Sequence, residues 1–214
     1  MNNLLKKIVV ILPVFVITIL FLRAQYDEQY KDVSIKRLAA FALTIALLYT
    51  WIIATIIRQK QESFIQIVLQ SSFYVYFFMV LTLTGYFILF KEVSAHGWWH
   101  KIILRVDQRD RVNLVPFKVF KRYKPFDREL VGNLIMLFPL GIYLPLLYKR
   151  TSGFFAVASI GLTVSICIEL LQLATSYRSA DIDDVILNTI GACLGFFVYR
   201  MIFVGLLKNK RNLI

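Results

Sequence analysis

Residues that bind metals or form disulfides are scarce in this sequence. Its 214 residues include only two cysteines and two histidines. Cys167 and Cys193 lie in apolar segments without a CxxC partner, and His96 and His100 have no third ligand nearby. Both histidines fall in one basic segment, which gives no support to a serine–histidine or cysteine–histidine nucleophile. We therefore expect no disulfide framework, no metal site and no cofactor.

Charged residues are also scarce, at 18% of the chain against 58% hydrophobic residues. This composition is typical of a protein whose main solvent is lipid. A bilayer is crossed by a helix of about 20 apolar residues, so the length of the chain suits one bundle of five or six spans. We predict an all-α, polytopic transmembrane helical bundle that passes the membrane several times.

Acidic residues are outnumbered by basic residues, 13 against 25, which gives a net charge of +12. In a membrane protein such an excess favours contact with anionic lipid head groups and sets orientation in the bilayer. We expect membrane lipid as a partner and no binding of nucleic acid.

Six hydrophobic segments are the candidate spans: residues 8–22, 39–57, 65–90, 134–148, 154–174 and 185–207. The first follows Lys6 and Lys7 like a signal peptide but has no A-x-A-like cleavage site, so we predict an uncleaved helix; its removal would leave five spans. The fourth contains Pro139, Gly141 and Pro145. We expect this helix to be bent and packed inside the bundle.

The distribution of apolar, basic and aromatic residues along the sequence divides it into three regions. Residues 1–90 hold N-terminal transmembrane helices, residues 91–132 form a basic, aromatic interfacial loop, and residues 133–214 form the transmembrane core, whose motifs begin near residue 113. One interpretation of the middle region is a loop that lies on the membrane surface. The other is a binding lid whose cations, Arg122, Lys124 and Arg128, bind a phosphate or carboxylate.

Polar residues recur at helical spacing in the last two candidate spans. Ser165, Glu169 and Gln172 are four and three residues apart and share one face of the fifth. One face of the sixth carries aspartates at its start, then an asparagine and two glycines, and we expect this face to be buried against other helices: Asp181, Asp184, Asn188, Gly191 and Gly195. A charged residue at the centre of a membrane helix costs about 2.5 to 3.5 kcal/mol, so such residues are functional candidates.

The loops before the fourth and sixth spans emerge on the same side of the membrane, because two spans separate them. The spacing therefore predicts that several polar residues line one pocket. The candidate ligand-binding residues are Arg128, Asn133, Glu169, Gln172, Arg178, Asp181, Asp184 and Asn188. Glu169 and Asp184 are the candidates for a catalytic acid or base.

A purely structural role accounts for many of the same residues. Glu169 paired with Arg178, and Asp181 or Asp184 capping the final helix, would form a clamp that stabilises the bundle. Asp181, Asp183 and Asp184 lack the spacing of a known cation-binding loop, so they do not alter the expectation of no metal. Pocket and clamp both stay open at this point.

The second half of the chain resembles the VanZ-like family of bacterial membrane proteins. The matching text is NLVPF at residues 113–117, GNLIMLFPLGIYLP at 132–145, ELLQL at 169–173 and RSADIDDVILNTIGACLG at 178–195. The family is associated with lowered susceptibility to teicoplanin and related lipoglycopeptides. The resemblance implies a protein of the bacterial cell envelope, and it carries over no set of catalytic residues.

Two main function classes follow. The first is a non-enzymatic envelope factor that hinders a lipoglycopeptide from engaging the membrane or its target. The second is a membrane-embedded enzyme acting on a lipid-linked cell-wall precursor or similar substrate, with Arg178 binding an anionic group. A transporter is a third class, although no inverted repeat is visible.

The side of the membrane that the pocket faces is a separate question. The family association favours the extracytoplasmic side. The numbers of basic residues in the loops on the two sides favour a cytoplasmic pocket when the middle region is counted and an extracytoplasmic pocket when it is left out.

Overall fold

The structure is a computed structural model that describes most of the chain: residues 12, 16, 35–58, 64–86, 95–107, 112–118, 127–174 and 179–204. The chain divides into two compact units, Met1–Ser94 and Ala95–Ile214. The predicted all-α helical bundle is confirmed. The predicted first span lies outside the described residues apart from Leu12 and Val16, and the three-part division of the sequence stays a prediction.

The first unit contains two described helices, α1 (Ile35–Arg58) and α2 (Phe64–Leu83). Edge-to-face ring contacts join them: the centroids of Phe41 and Phe78 are 5.6 Å apart, and those of Trp51 and Tyr74 are 5.2 Å apart. The prediction of a span to residue 90 was too long, because α2 ends at Leu83. Gly85 follows with a φ of 80°, a left-handed conformation that commonly ends helices.

The second unit is built from five helices in its described residues: α3 (Ala95–Asp107), α4 (Arg128–Met136), α5 (Phe138–Leu147), α6 (Phe154–Leu173) and α7 (Ile182–Tyr199). Helices α4 and α5 together form one long apolar segment. Three such segments are long and apolar enough to cross a membrane: Glu129–Leu147, Phe154–Leu173 and Ile182–Ile202. A short 3-10 turn, Lys149–Thr151, precedes α6, and a π-helical turn, Arg200–Val204, follows α7.

The first of these segments is interrupted at Leu137, which separates α4 from α5. Pro139 lies in the first turn of α5. Its ring carries no backbone N–H and would clash with the carbonyl group four residues earlier, so one continuous helix is disfavoured. The bend that the prolines predict is therefore present, and Leu140, Gly141, Leu144 and Pro145 are buried as expected for a packed helix.

Small residues bring the last helix into close contact with its neighbours. A Cβ atom added at Gly191 would lie 2.0 Å from the carbonyl oxygen of Leu134, and one added at Gly195 would lie 2.0 Å from that of Phe138. On the opposite side of the contact, a Cβ atom at Gly141 would lie 1.9 Å from a carbonyl oxygen of α7. The face of α7 that carries small residues is thus buried against α4 and α5, as its spacing predicts.

The middle region differs from its prediction. We expected a loop over 91–132, but residues 95–107 form α3. Gly97 lies in the first turn of this helix, and its cost of about 1 kcal/mol relative to alanine does not prevent the helix from forming. Farther on, β1 (Val112–Asn113) pairs in parallel with β2 (Ala180–Asp181), and these two strands of two residues each depart from an all-helical fold.

Candidate functional site

Four carboxylates gather where α6 ends and α7 begins, and we refer to them as the acid cluster: Glu169, Asp181, Asp183 and Asp184. Asp181 is the N-cap of α7, and its side chain accepts a hydrogen bond from the backbone N–H of Asp183 at 2.9 Å. Asp183 and Asp184 occupy the first turn of that helix. Negative charge is favourable there because unpaired N–H groups and the helix dipole face it.

The acid cluster fixes the short segment that contains β1. The side-chain amide of Asn113 donates to both carboxylate oxygens of Asp181 at 2.9 Å. A few residues later, the backbone N–H of Phe117 donates to Asp183, whose side chain is 2% exposed. Residues 112–118 are therefore attached to the start of α7 by two carboxylates in addition to the strand pairing.

Glu169 joins the end of α6 to the same place. Its side chain is 6% exposed, and its Oε2 atom accepts the backbone N–H of Asp181 at 3.0 Å. Burial of a carboxylate is costly unless hydrogen-bond donors surround it. The backbone N–H of Asp181 is such a donor. Because Asp181 is the last residue of β2 and the N-cap of α7, this one bond to Glu169 connects α6 to both elements.

Two asparagines extend this polar region. The side-chain amide of Asn133, on α4, donates to Asp184. Asn188 lies one turn farther along α7 and is fully buried, and its amide donates to the hydroxyl of Ser165 at 3.0 Å. The Oδ1 atom of Asn188 is buried without a hydrogen-bond partner among the described residues. Polar bonds of this kind hold helices together in lipid, where no hydrophobic force does so.

The remaining predicted site residues are less well defined. Gln172 is buried in α6. Arg128 begins α4, but its side chain lies outside the described residues, as do Arg178, Arg122 and Lys124. The described part of the predicted pocket is therefore the set that α4, α6 and α7 bring to one end of the unit, and its binding role stays a prediction.

The hydrogen bonds favour a scaffolding role for the acid cluster. Each of its four carboxylates accepts from a donor within the chain: a backbone N–H or an asparagine amide. An acid or base for catalysis needs to exchange a proton with a substrate, whereas these groups hold secondary-structure elements together. Within the described residues, no three His, Cys, Asp or Glu side chains are grouped so that they could hold a metal ion.

Three contributors were missed at the sequence level. Asn113 belongs to the NLVPF motif, which marked its position but not its contact with Asp181. Asp183 was grouped with its neighbours yet left out of the candidate residues. Arg105 donates to the carbonyl oxygen of Leu173 at 2.8 Å, which satisfies an end group of α6 and attaches α3 there. No local pattern singles out Arg105 among the other basic residues of its segment.

The described second unit, including the acid cluster, falls within a single family match. The family model described as VanZ/LLP1 matches residues 72–204. This chain belongs to the VanZ/LLP1 family. The resemblance noted in the sequence motifs is thereby confirmed, and the three long apolar segments among the described residues identify this VanZ/LLP1 member as a membrane protein.

A curated relative gives a second comparison. The chain is 32% identical over 90 residues to Protein VanZ of Enterococcus faecium, a match that covers 42% of this chain and 53% of the relative. The matched part thus spans about half the length of that relative. No solved structure matches this VanZ/LLP1 chain.

Proposed function

We propose that this protein acts at the bacterial cell envelope, as a multi-pass protein of the cell membrane, and lowers susceptibility to teicoplanin or related lipoglycopeptides. The observation that carries the proposal is the VanZ/LLP1 match, which extends over the acid cluster and the three described segments that are long and apolar enough to cross a membrane. The similarity to Protein VanZ supports the same role.

The geometry of the second unit suggests how such a role is performed. Teicoplanin-type drugs carry a lipid tail, so they meet the membrane before or while they bind their target. A protein that presents an ordered polar end near the membrane surface is able to contact the drug, the surrounding lipid or a lipid-linked cell-wall precursor. The acid cluster supplies the order, because it fixes residues 112–118, α4 and α6 to one helix end.

The test is the minimum inhibitory concentration of teicoplanin, with vancomycin as a comparison drug, in a sensitive Gram-positive host. The host expresses either the intact chain or the Asp184→Asn variant. This substitution weakens the hydrogen bond that the side-chain amide of Asn133 donates to residue 184. We expect a teicoplanin-selective rise with the intact chain and its loss with Asp184→Asn. Membrane levels of the two proteins are matched by immunoblot.

The control variant is Glu129→Gln, which removes an exposed carboxylate from the first turn of α4 without touching the acid cluster. Its susceptibility should equal that of the intact chain. If the intact, membrane-inserted chain produces no rise, the resistance role is wrong for this protein.

The alternative function is a membrane-embedded enzyme acting on a lipid-linked envelope substrate. The observation in its favour is the burial of Glu169, since a buried carboxylate is a common catalytic group. Glu169→Gln in the same assay separates the two classes. Glutamine still accepts the N–H of Asp181, so a binding factor keeps part of its effect, whereas an enzyme that uses Glu169 as acid or base loses nearly all of it.

A further inference from the structure

Two elements that follow one another along the second unit expose apolar side chains that a water-facing surface does not favour. Leu114 is 73% exposed, and Val115 and Phe117 are each 60% exposed. On α3, exposed apolar residues recur at spacings of four and three and so share one face: Trp99, Ile103 and Val106. We name these six residues the apolar rim.

The backbone beneath the apolar rim is held in place rather than loosely exposed. Asn113 is bonded to Asp181, and the N–H of Phe117 is bonded to buried Asp183. Phe117 has a φ of 63°, a left-handed conformation that a bulky residue rarely adopts. The hydrogen bonds offset the cost of this conformation, so the chain keeps the three apolar side chains outward instead of turning them into its core.

The apolar rim is attached to the ends of two segments that are long and apolar enough to cross a membrane. Helix α6 has 20 residues and is about 30 Å long, which equals the thickness of the hydrocarbon core. Its last residue, Leu173, accepts the bond from Arg105 and so places α3 at that end of the helix. Residues 112–118 lie beside the first turn of α7, which is the beginning of another spanning segment.

We propose that the apolar rim inserts into the boundary between the head groups and the acyl chains of the protein's own bilayer. Phospholipid is the occupant that fits, because Trp99 is of the residue type enriched at this boundary and Lys118, exposed beside Phe117, meets lipid phosphate. The proposal requires only a membrane-embedded chain. It is therefore independent of the proposed effect on antibiotic susceptibility.

The test is spin-label accessibility of the full chain in vesicles of phosphatidylglycerol and phosphatidylcholine. Cys167 and Cys193 are replaced by alanine, and single cysteines are placed at Val115 and at Ile103. The matched control is Ser179→Cys, an exposed polar position two residues before the N-cap of α7. Circular dichroism and size-exclusion chromatography check that each variant is folded.

We expect labels at 115 and 103 to collide more often with oxygen, which dissolves in lipid, than with a water-soluble nickel chelate. The label at 179 should give the opposite ratio. Nickel-dominated collisions at 115 and 103 would overturn the proposal. Dipolar broadening between labels at 115, removed by dilution with unlabelled chain, would also overturn it and identify a second copy as the occupant.

Discussion

Asp181 is the residue on which most of the polar end depends. Its side chain caps α7 and accepts both contacts from Asn113, while its own N–H donates to Glu169. Networks of this kind are strongest when each member is satisfied, because an unpaired polar group in a low-dielectric environment is costly. Removal of this one side chain therefore takes away both the cap of α7 and the acceptor for Asn113, whereas the backbone N–H of Asp181 keeps its bond to Glu169.

Asp181→Ala should lower the free energy of unfolding by about 2 kcal/mol, of which the lost cap accounts for about 1 kcal/mol and the unpaired Asn113 amide for about 1 kcal/mol. Asp181→Ser is the matched variant: serine still caps the helix but does not offer two oxygens to Asn113. We expect its stability to lie between those of the other two proteins in thermal unfolding in detergent. An alanine variant as stable as the natural chain would contradict the proposed dependence.

At the scale of the elements, the packing of α7 against α4 and α5 depends on glycine. Gly195→Ala would place a methyl carbon 2.0 Å from the carbonyl oxygen of Phe138, so the two backbones would have to move apart. We expect a loss of about 2 kcal/mol in stability, the usual effect of overpacking. Thermal unfolding in detergent measures it.

Gly132→Ala is the control, because nothing lies within 4 Å of a Cβ atom at that helical position. Alanine is the better helix former by about 1 kcal/mol, so this variant should be as stable as the natural chain or more so. If both glycine variants lowered stability equally, backbone flexibility rather than close approach would explain the effect.

The sequence predicted these elements unevenly, for physical reasons. Pro139 and the spacing of Gly191 and Gly195 act locally, so a bend and a small-residue face were readable from the text. The end of α2 at Leu83 was missed because apolar residues continue beyond it. Contacts such as Arg105 to Leu173 join residues 68 positions apart, and no local pattern reports such a partner.

At the scale of the whole molecule, the same limits apply to membrane crossing. Three described segments satisfy the requirements of length and composition. The count of five or six spans stays a prediction, since the segments of the first unit meet those criteria only over shorter lengths or lie outside the described residues. The convergence of Asn133, Glu169 and Asp184 was predictable, because an even number of crossings returns the chain to one side.

The crossings make a prediction about sidedness. One spanning segment, Phe154–Leu173, separates Ser152 from Ser179. Single cysteines at these two exposed positions should react with a membrane-impermeant maleimide from opposite sides of the membrane, with Ser179→Cys labelled in intact cells if the polar end is extracytoplasmic. Cysteine-free chain is the control. Labelling of both positions from one side would contradict the arrangement of the spans.

The bond between Asn113 and Asp181 also sets an order of events during synthesis. Its two residues are 68 positions apart, and at about 5 to 20 residues per second the ribosome needs about 3 to 14 s to reach the second after the first. Two of the described segments that are long and apolar enough to cross a membrane are made in that interval. Residues 112–118 therefore leave the ribosome without the carboxylates that later fix them, and the polar end is completed only when the start of the last helix arrives.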